Sequence, residues 1–165
     1  MEEMKITRFP EEFKKIAEDL AYAYEVKYHG CSQAVIAPFV EILGIGDDMV
    51  TMAASCFAGG CTRCLTCGAL SGGLMVLGMK YGRRKIEDGM KPLQESFQVG
   101  CELVDRFKEE YGATNCCELV GRDLSDPDQV QEFMSSPEEM EKCFERVKKA
   151  AGWVAAIISA RDKIS

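Results

Sequence analysis

The chain has 165 residues, 47% hydrophobic and 28% charged. That composition suits one globular domain, residues 1–165, able to bury about two-thirds of its unfolded surface without disulfides. A formal net charge of −7 argues against a nucleic-acid partner, and no stretch approaches the ~18 uncharged apolar residues of a membrane span. Met1-Glu2-Glu3-Met4-Lys5 has neither a basic n-region nor an apolar h-region, so the expected location is the cytoplasm.

Helical punctuation dominates, and strand signals are weak. Pro10, followed by Glu11 and Glu12, predicts the start of a first helix with Phe13, Ile16, Ala17, Leu20 and Tyr24 on its apolar face. A second helix is predicted from Cys31 to Leu43, between Gly30 and Gly44, with a kink at Pro38. A short third spans Asp48 to Phe57, and Ala58-Gly59-Gly60 breaks the chain. The segment Thr66 to Tyr81 carries Gly68, Gly72, Gly73 and Gly78, so its backbone is expected to lie close to another helix or a bound group. A long helix is predicted from Leu93 to Tyr111, with Phe97, Cys101, Val104, Phe107 and Tyr111 inward. Cys116 to Val120 reads as a helical turn, Asp126-Pro127-Asp128 opens a short helix, and Ser136-Pro137-Glu138-Glu139 starts the last one. The expected fold class is therefore all-α, a compact bundle of about five to seven helices.

Nine cysteines stand out: Cys31, Cys56, Cys61, Cys64, Cys67, Cys101, Cys116, Cys117 and Cys143. An odd number in a reducing compartment points to metal ligation or redox chemistry rather than a disulfide framework. Cys61-x2-Cys64-x2-Cys67 is the densest signal. Cβ atoms three apart on a helix are ~5–6 Å apart, better suited to a shared metal or cluster than to a disulfide, whereas a looser turn after Gly60 would permit either. Cys31 opens a helix, whose dipole favours its thiolate. By periodicity Cys56, Cys101 and Cys143 read as core. Of adjacent Cys116 and Cys117, one is expected to face a site. His29 reads as a surface residue. The order Cys-x-x-Cys-His is absent, so no covalent haem is expected.

Gly30-Cys31-Ser32-Gln33-Ala34, Cys67-Gly68-Ala69-Leu70-Ser71-Gly72, Cys117-Glu118-Leu119-Val120-Gly121 and Cys143 together resemble the C_GCAxxG_C_C family, proteins credited with redox activity and found mainly in anaerobic bacteria and archaea. Tyr81-Gly82-Arg83 also fits, and the resemblance spans roughly residues 20 to 155. The family is similar to the split-Soret type of cytochrome c, without carrying its haem attachment here. The resemblance implies a site of Cys31, Cys67, Cys117 and Cys143 and moves Cys143 from core to ligand. Cys61 and Cys64 depart from the family pattern and extend the site, so the expected metal set is Cys31, Cys61, Cys64, Cys67, Cys117 and Cys143. The functions to be weighed are an electron-transfer protein with an iron–sulfur cluster, a metal-free thiol–disulfide protein with Cys31 and Cys67 as redox thiols, and a structural zinc domain. A protein redox partner is expected, homodimerisation stays open, and whether the chain is itself an enzyme is not decided by any motif.

Overall fold

The computed structural model describes residues 10–162. Eight α-helices follow one another: α1 Pro10–Tyr28, α2 Cys31–Leu43, α3 Asp48–Ala53, α4 Gly68–Tyr81, α5 Met90–Tyr111, α6 Cys116–Val120, α7 Pro127–Met134 and α8 Pro137–Asp162. The fold is all-α, with one helix more than the sequence suggests because α6 forms a separate element of five residues. No strand occurs among the described residues, and none of the helices is long and apolar enough to cross a membrane.

The punctuation acts as expected at most ends. Gly44, Gly112 and Gly121 adopt left-handed conformations at the ends of α2, α5 and α6, each donating its N–H back to the preceding turn. Asp47 accepts from Met49 and Val50 at the start of α3, and Ser136 Oγ accepts from Glu139 N–H at the start of α8. Pro38 lies buried inside α2.

The core is formed by α1, α2, α4, α5 and α8. Phe13, Ile36, Phe39, Leu70, Leu77, Leu103, Phe107, Ile157 and Ile158 are fully enclosed within it. The buried face of α5 is Val99, Leu103 and Phe107. This corrects the predicted stripe: Phe97 is 60% exposed and Cys101 faces solvent, because the face packed on the bundle is that of Val99 and Leu103, which flank Cys101 two residues away on the opposite side of the helix. Cys56 is exposed as well, on a single helical turn (Ser55–Phe57) outside the core.

The glycines of α4 meet another helix. A methyl group on Gly72 would stand 2.5 Å from the Ser32 carbonyl oxygen, and one on Gly68 would stand 2.2 Å from Cys31 Sγ. These two residues, one helical turn apart, let the first turn of α2 lie directly on α4. The same contact brings the Cys31 thiol beside Cys67.

Candidate redox site

Four thiols line one cavity of about 270 Å³: Cys31, Cys67, Cys116 and Cys143. Each comes from a different element. Cys31 is the first residue of α2, Cys67 precedes α4, Cys116 opens α6, and Cys143 lies on α8. Two backbone hydrogen bonds set Cys67 beside Cys116. Cys67 N–H donates to Thr114 O (2.8 Å) and Cys116 N–H to Leu65 O (2.7 Å), so residues 65–67 run antiparallel to 114–116. Leu124, Val130, Phe133, Met134, Met140 and Phe144 give the cavity an apolar wall, contributed by α7, the loop before it and the start of α8.

Burial controls the chemistry of these thiols. It pushes Cys31 up to about 12, reinforced by neighbouring Cys67. It raises Cys67 to about 11, against the pull of the Ala69 and Leu70 amides at the start of α4 and of the Arg146 charge. Cys116 reaches about 12 and Cys143 is also raised, again by burial, with Arg146 opposing. The helix dipole expected to favour a Cys31 thiolate is therefore outweighed by desolvation. All four are neutral thiols near pH 7.

Two other side chains in the cavity are charged types with little access to solvent. Arg146 is 7% exposed. It donates through one terminal nitrogen to Cys143 Sγ (3.2 Å) and through the other to Leu119 O (3.2 Å), and its guanidinium lies 5.3 Å from the Tyr111 ring centre. Its Nε has no partner. Glu25, on α1, is 6% exposed, and its Oε2 has none either. Burial raises the Glu25 carboxyl to about 7. Sequence reading passed over both, since one charged residue on an apolar helix face gives no periodic signal. His29 is solvent-exposed, as expected, yet it stacks on Phe144 at the cavity rim with ring centres 6.0 Å apart.

The model of the family described as "Putative redox-active protein (C_GCAxxG_C_C)" matches residues 29–157. The chain belongs to the C_GCAxxG_C_C family. No curated protein and no solved structure matches it. The span matched to the C_GCAxxG_C_C family includes all four cavity cysteines and Arg146 but begins after Glu25.

The six-cysteine set expected from sequence divides in two. Cys31, Cys67 and Cys143 do share a cavity, but the fourth thiol is Cys116. Cys117 points the other way and forms a disulfide with Cys64, with Cα atoms 5.0 Å apart. The reason is the pairing of 65–67 with 114–116, which turns Cys116 inward at the start of α6 and so directs its neighbour outward. Cys61, Cys64 and Cys67 do not converge, because the turn Gly60–Cys64 is not a regular helix. Cys61, Thr62 and Cys64 have φ of 55°, 60° and 61°. Left-handed non-glycine residues cost of order 1–3 kcal/mol each and persist only where neighbours enforce them. Here Gly60 lies against Cys116 Cβ, where a methyl group would approach to 2.6 Å. Cys61 stays half-buried outside the cavity.

Asp123 adjoins the Cys64–Cys117 pair, its Oδ1 lying 3.5 Å from Cys64 Sγ and 3.9 Å from Cys117 Sγ. Among the described residues, these three are the one set of three cysteine, histidine or acidic ligand atoms mutually within 4.8 Å. No three of the cavity sulfurs are that close.

Proposed function

We propose that this protein is an electron carrier whose centre is an iron–sulfur cluster held by Cys31, Cys67, Cys116 and Cys143. The observation that carries this reading is the convergence of four thiols from four elements on one apolar cavity with a buried arginine. Four cysteines are the usual complement for such clusters. Sulfurs around a single tetrahedral zinc stand about 3.8 Å apart, given Zn–S bonds near 2.3 Å. The wider spread of the cavity sulfurs suits a polynuclear centre better. The orphaned Arg146 Nε also fits, since anionic sulfur in the cavity gives that N–H an acceptor.

When bound, such a cluster supplies reversible one-electron transfer. The chain's own residues do the rest. The four thiols lose their protons on ligation, as coordinating thiols do. Arg146 offsets part of the resulting negative charge from within the low-dielectric wall. Glu25, whose carboxyl burial raises to about 7, has in its protonated form an O–H to donate toward sulfur. Leu124, Val130, Phe133 and Met134 limit water around the site, and limited water together with hydrogen bonds to sulfur tunes a cluster's potential. A protein partner with a basic docking face fits the charge of −7. The metal-free alternative, with Cys31 and Cys67 as exchanging thiols, fits poorly, because thiols raised to 11 or 12 hold almost no thiolate at pH 7.

The test is anaerobic reconstitution with iron and sulfide, read by visible absorbance and by iron and sulfide content. A brown protein is expected that Cys31→Ser, Cys67→Ser, Cys116→Ser and Cys143→Ser each bleach and Cys117→Ser does not. A colourless protein holding stoichiometric zinc, or a cluster lost in Cys117→Ser and kept in Cys116→Ser, overturns the assignment.

A further inference from the structure

We infer that Cys64 and Cys117 form a second, separate site: an exchange-active dithiol–disulfide pair that trades electron pairs with an external dithiol–disulfide couple. The inference does not depend on what the cavity binds. Four observations carry it. The two sulfurs are bonded and both are half-buried rather than sealed in the core. The Leu124 N–H donates to Cys64 Sγ at 3.0 Å, a contact that favours negative charge on that sulfur. Asp123, exposed and fixed by hydrogen bonds from Ser125, places its carboxylate beside both sulfurs. The left-handed residues Cys61, Thr62 and Cys64 hold Cys64 on an irregular turn at the surface instead of within a packed helix.

The chemistry balances with a dithiol as the reductant. One thiolate of that dithiol attacks Cys117 Sγ. The Cys64–Cys117 bond breaks, and its electron pair leaves on Cys64, where the Leu124 amide stabilises the thiolate. The second thiolate of the reductant then attacks its own sulfur in the mixed disulfide and releases Cys117. The reductant ends as a disulfide; the two protons its thiols release to water on ionising are balanced by two taken from water by Cys64 and Cys117. In reverse, the Cys117 thiolate attacks a partner disulfide, and Cys64 then attacks Cys117 Sγ, closes the internal bond and releases the partner's second thiolate. Redox thiol chemistry thus belongs to Cys64 and Cys117 rather than to Cys31 and Cys67.

The experiment incubates the native full-length protein in graded dithiothreitol redox buffers, quenches with acid, alkylates, and locates modified cysteines by mass spectrometry. Cys64 and Cys117 are expected to interconvert together, reversibly, within minutes. A parallel arm with oxidised glutathione as the probe should trap a mixed disulfide on Cys117 in Cys64→Ser. Asp123→Asn removes the negative charge that opposes a thiolate beside both sulfurs and should speed exchange about tenfold near pH 7. Cys61→Ser should exchange at the wild-type rate. Three results overturn the inference: a pair that stays oxidised in excess dithiothreitol until the protein is denatured, exchange unaffected by Asp123→Asn, or reduced protein in which zinc on Cys64, Cys117 and Asp123 blocks all exchange. None of these bears on whether iron and sulfide load into the cavity.

Discussion

Among the carboxyl groups, Glu25 departs most from its usual behaviour. Its ordinary value is 4.5 and the folded chain holds it at about 7 because burial penalises the carboxylate. Between those values the folded protein keeps a proton that the unfolded chain has released, so stability falls as pH rises. The contribution is complete below pH 4.5 and is lost as pH climbs through 7. The expected loss is on the order of 3 kcal/mol. Urea unfolding of metal-free protein from about pH 5 to about pH 8 measures it, and Glu25→Gln, which cannot ionise, should flatten the profile. Should both proteins show the same slope, the carboxyl is not buried as described. The cavity thiols have the same sign at higher pH, losing stability as pH rises from 9 toward 12.

At the scale of elements, α4 is built around its glycines, and substitution there should give opposite signs at different positions. Gly72→Ala forces a methyl group against the Ser32 backbone and should cost about 1–3 kcal/mol by overpacking. Gly68→Ala displaces the Cys31 thiol and should abolish iron uptake even where the protein still folds. Gly78→Ala, exposed and with nothing within 4 Å of the added methyl, should gain up to about 1 kcal/mol of helix propensity. Thermal unfolding of the three variants, with iron content for Gly68→Ala, decides between these. A uniform loss of stability at all three positions contradicts the packing of α2 on α4.

The helix ends were legible because proline, glycine and short polar caps act within a few residues of themselves. Period gave part of the interior face of α1: Phe13 and Ala17 are buried and Ile16, Leu20 and Tyr24 half-buried, while Ala21 and Glu25 complete the face. Three features were not legible. The choice of Cys116 over Cys117 depends on a pairing between residues 65–67 and 114–116, some fifty positions apart, and a five-residue helix has no period to read. The spacing of Cys61, Cys64 and Cys67 suited a shared metal whether on a helix or a looser turn, whereas left-handed backbone keeps the three sulfurs from converging. Phe97 and Cys101 fall on a plausible stripe of α5, but the helix is turned so that Val99 and Leu103 face the bundle instead.

For the molecule as a whole, the cavity joins α2, α4, α6 and α8, while α7 only rests upon it. Arg122 fastens this region, with two hydrogen bonds to Glu139 on α8 (2.5 and 2.9 Å) and an ion pair to Glu132 on α7. No α7 residue is fully buried, so this corner is among the less anchored parts of the described fold. A centre that binds the folded chain alone stabilises it by linkage. Removing iron by chelation should therefore lower the melting temperature and raise hydrogen exchange first in α6 and α7. Exchange that rises first in α1 or α5 argues against a centre at this place.

Cys143 and Arg146 lie on the last helix of the chain, and that position governs when the site comes into being. Ribosomes add roughly 5–20 residues per second, so Cys31 and Cys67 exist for several seconds before their remaining partners are made. A nascent chain thus exposes half a site with no counter-charge. On the proposed reading, the centre can load only once residue 146 has been made, by way of the corner under α7.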